Sequence, residues 1–293
     1  MYHVFSHYPC NDGEVASAVW SYFRPDSKLY KWKHNDNLNE INIINNLPDN
    51  SNIVFLDVTP SIEKLSNKHN YIIIDHHTDP LLKLLNHKNK ENYNLDIYTH
   101  ENFPEENYLS GCMLTWDYFS KYRYPSVVYF IGYKDVWNFS NPETEPYCIG
   151  YNECIEKCNP ENRIDFIKNL LMNNTTENDL IILGLKMINK YKQETILYFK
   201  NITFSNEIIN NISYSIIDIT CISNSRNSLY KYLIEYAIQY YPNIQVLRIL
   251  HTITPTQKIY SLRSLLDVNV DIIARHYGGN GHEKAAGYTE SLI

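Results

Sequence analysis

The chain has 293 residues, of which 44% are hydrophobic, and its formal net charge is −7. This length allows one large domain or two, and the acidic balance excludes a long basic track, so any nucleic-acid contact should be local, short or metal-assisted. No stretch approaches the roughly 20 apolar residues of a membrane-spanning helix, and the start, MYHVFSHYPCND, lacks the basic and apolar segments of a signal peptide.

Strands and helices alternate in the first half of the chain. The apolar runs Asn52–Val58 and Tyr71–Asp75 predict buried strands, whereas Ser126–Asp135 is an apolar stretch whose type the pattern leaves open. The pattern also predicts a short strand His3–Ser6, helices at Glu14–Phe23, 61–66 and Ser110–Tyr122, and a polar surface loop over 85–98. Such alternation is typical of a doubly wound, mostly parallel sheet.

Breaks at Pro142, Pro146, Gly150 and Pro160 indicate a linker after this first domain. Further on, the pattern predicts helices at 165–173, Asn178–Asn201, Ser228–Tyr241 and Asp267–Tyr277, and strands at Ile212–Thr220, Ile244–Ile253 and Lys258–Ser264. The sequence therefore predicts an α/β protein with two domains, 1–150 and 206–293, joined by a helical linker over 151–205. The smaller second domain is expected to have a mixed sheet.

Six cysteines are scattered along the chain, and no two of them form a Cys-x-x-Cys pair. In a chain of this size that pattern is typical of reduced thiols in the cytoplasm and not of a disulfide framework. We therefore expect a cytoplasmic protein. The cysteines are Cys10, Cys112, Cys148, Cys154, Cys158 and Cys221.

Polar side chains follow the apolar stretches of the first domain at the points where strands are expected to end. Each alone is weak evidence, because a single histidine can be a core or surface residue and a single aspartate can cap a helix or sit in a turn. In a parallel sheet, however, these ends meet at one edge. Carboxylate and imidazole ligands suit Mn²⁺ or Mg²⁺ better than Zn²⁺. The residues are His7, Cys10 and Asp12, then Asp57, then Asp75, His76 and His77, and finally Asp135.

A second polar cluster lies near the C-terminal end. The segment GGNGHEKAAG, Gly278 to Gly287, is either a tight turn or an anion-binding nest of backbone N–H groups. Arg263 and Ser264 in YSLRS are either an edge-strand pair or ligands of a phosphate.

Together these motifs resemble the DHH phosphoesterase superfamily with its DHH-associated C-terminal domain. The matching segments are HYPCNDG, FLDV, IIIDHH, GYKDVW, SLRS and GGNGHEKAAG, in the family's order over nearly the whole chain. The form of the first segment is similar to the oligoribonuclease or nanoRNase branch. The resemblance implies an active site in the cleft between the two domains.

The resemblance also implies roles for individual residues. One metal ion would be held by His7 and Asp57, and a second by Asp12, Asp57, His76 and Asp135. Asp75 would orient His76, and His77 would face the scissile phosphate or the water that bridges the metals. The phosphate would be gripped by Arg263, Ser264, Gly278, Gly279 and His282. The expected cofactor is a pair of Mn²⁺ ions, with Mg²⁺ as the alternative.

Two positions depart from the family pattern. Cys10 stands where a second aspartate is common, so it is either a softer metal ligand or a small packed residue. Asn280 interrupts the glycine run, but asparagine tolerates left-handed backbone better than most residues do.

The expected function is hydrolysis of short oligonucleotides, or of linear or cyclic dinucleotides, by a water that two metal ions activate. The expected protein is a monomer or homodimer that binds neither long duplexes nor membranes. One rival is a catalytically weakened nucleotide-binding or partner-binding protein that has lost a metal, and another is a pyrophosphatase-like phosphohydrolase. The sequence leaves open the physiological substrate and the polarity of cleavage.

Overall fold

The computed structural model describes residues 1–33, 38–99, 109–173, 176–220, 227–254 and 256–292. The chain divides into two compact units, Met1–Leu185 and Lys186–Ile293. The sequence pattern places the end of the first domain at residue 150 and the end of the linker at residue 205, which differs from this division. As boundaries of functional domains, these positions stay a prediction. None of the described helices is long and apolar enough to cross a membrane.

A five-stranded parallel sheet forms the centre of the first unit, with the strand order β2-β1-β3-β4-β5. The inner strands β1, β3 and β4 are almost fully buried, as expected for apolar runs covered on both faces of a sheet. Because all five strands are parallel, their carboxyl ends lie along one edge. The strands are β1 (Tyr2–His7), β2 (Lys28–Trp32), β3 (Asn52–Leu56), β4 (Asn70–Ile74) and β5 (Asn94–Tyr98).

Helices cover both faces of this sheet. The helices of this unit are α1 (Asn11–Phe23), α2 (Leu38–Asn45), α3 (Thr78–Leu85), α4 (Gly111–Phe119), α5 (Ser126–Asp135), α6 (Thr144–Lys157), α7 (Arg163–Met172) and the first part of α8 (Glu177–Tyr198). One buried cluster joins α1 and α4–α8 to the sheet, and a second, on Phe5 and Phe55, takes in Ile44 of α2 and Leu81 of α3. The doubly wound α/β fold is therefore confirmed.

Four details of the first unit differ from the sequence pattern. The apolar stretch ending at Asp135 is the helix α5, and the supposed linker after Pro142 contains the buried helix α6. Pro146 lies in the first turn of α6, where its missing N–H is tolerated. The polar stretch 85–98 ends in β5, an edge strand that needs few apolar residues. The sequence pattern did not predict strand β2 or helix α2.

The second unit contains a six-stranded mixed sheet with the order β10-β11-β9-β8-β7-β6, as expected for the smaller domain. Among the described strands of this sheet, only β7 and β8 pair in parallel, and helix α9 lies between them in the chain. The elements are β6 (Thr203–Ile209), β7 (Ile212–Thr220), α9 (Asn227–Tyr240), β8 (Val246–Ile253), β9 (Gln257–Ser264), α10 (Val270–His276), β10 (Asn280–His282) and β11 (Ala285–Ser291). The five cysteines among the described residues are free thiols, and Cys221 lies outside those residues.

Helices α6 and α8 cross at two glycines. A Cβ on Gly150 would lie 2.0 Å from the Leu180 carbonyl oxygen, and one on Gly184 would lie 1.8 Å from the Pro146 carbonyl oxygen. Both neighbouring atoms are backbone, so they cannot move without shifting a helix. The crossing shows why the segment after Pro142 is part of the core and not a linker.

We predict that Gly184→Ala destabilises the protein by about 1–3 kcal/mol, because the added methyl group forces the two helices apart. Helix propensity alone would predict the opposite sign, a gain of about 1 kcal/mol. Urea unfolding measures the difference, with Leu185→Ala, a half-exposed neighbour on the same helix, as control. A Gly184→Ala variant as stable as the parent would contradict the close crossing.

Candidate metal centre

The carboxyl edge of the parallel sheet carries the first part of the site. Strand β1 ends at His7, Asp57 follows β3, and Asp75 follows β4. Asp57 turns the chain with a left-handed backbone (φ 57°), which aspartate adopts more readily than most residues. Its N–H still donates to the Ile74 carbonyl oxygen at 2.8 Å, so the turn is held against the sheet.

Asp57 lies at the centre of the cluster and is only 1% exposed. Its Oδ2 accepts a hydrogen bond from His7 Nδ1 at 3.2 Å. Its Oδ1 lies 3.3 Å from His76 Nε2, and the same nitrogen lies 3.3 Å from Asp135 Oδ2. The Asp57 carboxylate therefore contacts both His7 and His76, and His76 in turn contacts Asp135 at the end of α5.

Asp12 reaches the cluster from the first turn of α1 and is also 1% exposed. Its Oδ1 accepts hydrogen bonds from Ser110 Oγ at 2.7 Å and from the Cys112 N–H at 3.1 Å. These two donors belong to the start of α4, where the helix N-terminus favours negative charge. Its other oxygen, Oδ2, has no hydrogen-bond partner.

Gly111 makes room for the two buried carboxylates. A Cβ at this position would lie 2.6 Å from Asp57 Cβ and 2.8 Å from Asp12 Oδ2. The Ser110-Gly111 pair and Thr59, which donates to Asp75, were not recognised from the sequence. A Ser-Gly pair at a helix start was the available signal, because serine caps helices and glycine permits close approach.

Three buried atoms of the cluster make no hydrogen bond, namely Asp12 Oδ2, Asp57 Oδ1 and His76 Nε2, although the last two lie 3.3 Å apart as an ion pair. Buried polar atoms are normally paired, so orphaned ones need an explanation. A divalent cation among them would satisfy all three at once. Among the described residues, possible ligand atoms within 4.8 Å of one another occur in three sets: Asp12, His76 and Asp135; His7, Cys10 and Asp57; and Asp57, Asp75, His76 and His77. The residues therefore fit a cation, and their convergence is as expected.

The carboxylates repel one another in this site. Burial, followed by the negative charges of Asp57 and Asp135, raises the pKa of Asp12 well above its usual range. Burial and the charge of Asp57 also raise the pKa of Asp135. For Asp57 burial acts in the same direction, but its contacts with His7 and His76 outweigh burial and lower its pKa. The cluster is thus short of positive charge, which a metal ion would supply.

His76 responds to the same field. Burial lowers its pKa, but the contact with Asp57 and the charges of Asp12 and Asp135 outweigh burial and raise the pKa to about 9. A protonated imidazole at this position would offset part of the negative charge of the cluster.

Asp75 differs from its expected role. Its Oδ1 accepts from His77 Nδ1 at 2.7 Å and from the backbone N–H groups of His76 and His77, while Oδ2 accepts from Thr59 Oγ1 at 2.6 Å. It therefore orients the ring of His77, and the expectation that it orients His76 is wrong. The reason is that the chain turns after β4 and brings the second imidazole back over the carboxylate.

Cys10 lies at the start of α1 with its side chain toward His7 and Asp57, in one of the ligand sets. Burial and the nearby Asp57 and Asp12 carboxylates raise the pKa of its thiol. This position agrees with a residue that faces the cluster and not with one packed under the sheet. Whether it binds a metal stays a prediction.

The second unit places Arg263 on β9, with its guanidinium 4.8 Å from the centre of the Tyr230 ring. No ion pair joins Arg263 to a carboxylate among the described residues, so its charge is available to an anion. Ser264 Oγ donates to the Leu266 carbonyl oxygen instead. His282 is exposed on β10, two strands from Arg263 in the same register.

Gly278 and Gly279 do not form the expected anion nest. The Gly278 N–H donates to the Arg275 carbonyl oxygen at 3.0 Å, and the Gly279 N–H donates to the Ala274 carbonyl oxygen at 2.8 Å. This pair of bonds, with φ 77° at Gly278, is the Schellman motif that ends a helix. The two N–H groups complete α10, so the nest hypothesis is wrong for them.

No protein-family model and no curated protein matches the sequence. Among solved structures, an uncharacterised Helicobacter pylori protein is 11% identical with a TM-score of 0.44, and a pGpG-specific phosphodiesterase of Vibrio cholerae is 13% identical with a TM-score of 0.49. Each match covers 100% of this chain and 94% of the other. At these identities and scores the matches carry no argument about the chemistry of this chain.

We predict that Gly111→Ala weakens Mn²⁺ binding roughly 10- to 100-fold, because the methyl group displaces the Asp57 and Asp12 carboxylates. Titration calorimetry with MnCl₂ measures the affinity. Ser120→Ala, at the other end of α4, is the matched control and should bind as the parent does. Unchanged affinity in Gly111→Ala would mean that these carboxylates are not ligands.

Proposed function

We propose that the chain is a metal-dependent phosphodiesterase that hydrolyses short oligonucleotides or dinucleotides. The observation that carries this proposal is the cluster of possible metal ligands at the carboxyl edge of the sheet, in which buried atoms of Asp12, Asp57 and His76 make no hydrogen bond. The order of the motifs along the chain, which resembles the DHH superfamily, supports the reaction class.

Two neighbouring positions would hold the metal ions, with Asp57 shared between them. His7, Cys10 and Asp57 would bind one ion, and Asp12, Asp57, His76 and Asp135 would bind the other. Mn²⁺ is the proposed metal, because carboxylates and imidazoles both suit it. Two such ions lower the pKa of a water and neutralise charge that builds up on a phosphate.

His77 is the residue best placed to meet the substrate. Asp75 holds its Nδ1, so the proton on that atom is fixed and Nε2 points away from the anchor. The ring is also more exposed than that of His76, with 38% of its side chain accessible against 13%. In its protonated form, Nε2 would donate a hydrogen bond to a phosphate oxygen and stabilise negative charge there.

Arg263 is proposed to bind a terminal phosphate of the substrate, since its guanidinium has no acidic partner among the described residues. His282 and Ser264 stay weaker proposals, because His282 is exposed and Ser264 is engaged by a backbone carbonyl. The acidic overall charge agrees with a short substrate that is bound through few phosphates.

We predict that Asp57→Asn lowers kcat by about a thousandfold or more, because both proposed metal positions lose the ligand they share. The assay offers Mn²⁺ with a 5′-phosphorylated dinucleotide, five-nucleotide RNA and DNA, a cyclic dinucleotide and pyrophosphate. Asp96→Asn, an exposed acid on β5, is the control and should retain activity.

The same panel separates the rival functions. Cleavage of pyrophosphate alone would show a pyrophosphatase, and Mn²⁺-dependent binding without cleavage of any substrate would show a binding protein. Equal rates for Asp57→Asn and Asp96→Asn would contradict the proposed catalytic centre.

A further inference from the structure

Helix α5 ends in the same hydrogen-bond pattern as α10. The Trp137 N–H donates to the Lys134 carbonyl oxygen at 3.1 Å, and the Asn138 N–H donates to the Tyr133 carbonyl oxygen at 2.8 Å. In this Schellman motif the residue after the C-cap must adopt a left-handed backbone, and here that residue is Trp137, with φ 56°.

Glycine is the residue that this position favours, because a Cβ crowds the backbone in the left-handed region. Helix α10 follows the rule and places Gly278 there, with φ 77°. The other non-glycine residues with positive φ among those described are all asparagine or aspartate: Asn50, Asp57, Asn210 and Asn211. Trp137 thus departs from the local rule, so helix termination does not explain the choice of a tryptophan.

Packing does not explain it either. Trp137 is 84% exposed, whereas Trp20, Trp32 and Trp116 are at most 9% exposed. Among the described residues, its one ring neighbour is Phe139, at 6.1 Å between centres with 72° between the ring planes, and that ring is itself 43% exposed. A strained backbone therefore presents a large, flat apolar surface to solvent, and strain of this kind is concentrated at functional sites.

The indole stands beside the candidate metal centre. Trp137 lines a cavity of about 260 Å³ together with Asp12 and Asp135, and Lys134 and Asn11 complete the polar wall. One small cavity therefore combines proposed metal ligands, a cation for a phosphate and an exposed aromatic plane. Phosphate esters without an aromatic group would use the first two features and leave the third unused.

We propose that Trp137 stacks on a nucleobase next to the scissile phosphate, so that the centre selects phosphodiesters that carry bases. This inference rests on the proposed function of the same site. Stacking of one base on one aromatic ring tolerates any base, because every base has a flat π surface. Trp137 therefore selects for the presence of a base and not for its identity.

The test uses two non-hydrolysable probes with the same charge, in the presence of Mn²⁺. One is a 5′-phosphorylated adenosine dinucleotide with a phosphorothioate link, and the other is its abasic analogue. Quenching of tryptophan fluorescence by acrylamide reports mainly on Trp137, because the other three tryptophans are buried. The first probe should reduce this quenching, and the second should not. Trp137→Gly should weaken binding of the first probe on the order of tenfold and leave binding of the second unchanged.

Thermal unfolding of the same variant separates this role from a structural one. Trp137→Gly should keep or raise Tm, because glycine relieves the left-handed backbone and little buried surface is lost. Tyr122→Ala removes another exposed aromatic ring, one that does not line this cavity, and is the matched control for both readouts.

Each outcome decides the matter. Equal binding of both probes to the parent, or an equal loss of both in Trp137→Gly, would overturn base stacking while leaving the phosphodiesterase proposal standing. Failure of both probes to bind the parent protein would overturn the stacking and the proposed function together.

Discussion

The repulsion among three carboxylates, those of Asp12, Asp57 and Asp135, is the constraint on which the functional part of this structure depends. Buried negative charges are expensive unless a positive partner or several hydrogen bonds offset them. Here the sheet edge, the start of α4 and two histidines hold the carboxylates close together nevertheless. Because a cation would relieve this repulsion, the arrangement favours binding of a metal ion, and this preference links the structure to the proposed chemistry.

Two residues beside this cluster are poorly explained by local structure alone. Gly111 stands inside the first turn of a helix, where two carboxylates need the space of its missing side chain, and Trp137 stands where glycine is favoured. Helix α10, by contrast, ends with Gly278 at the equivalent position. Departures of this kind are expected where function and local stability compete, and both of these lie at one site.

Much of the fold could be predicted because strands β3 and β4 are apolar runs that end abruptly in polar residues. The convergence of Asp57, His76 and Asp12 followed from parallel topology alone. Asp135 was expected at the end of a strand and is the last residue of helix α5, since a short run that is apolar on all sides does not distinguish the two. The sequence could not predict which imidazole ring binds Asp75, because the turn after β4 determines whether the ring of His76 or that of His77 contacts the carboxylate. The role of Gly278 and Gly279 could not be predicted either, because a glycine-rich turn can direct its N–H groups to an anion or to the last carbonyl groups of a helix.

The central claim is that the cluster at the carboxyl edge of the parallel sheet is a site for two divalent cations. Crystals grown with MnCl₂ and measured at the manganese absorption edge test it most directly, because the anomalous signal locates each ion without reference to activity. The account predicts two peaks, one in contact with His7, Cys10 and Asp57, and one in contact with Asp12, Asp57, His76 and Asp135. Absence of manganese from this cluster, or manganese bound only elsewhere on the chain, would contradict it.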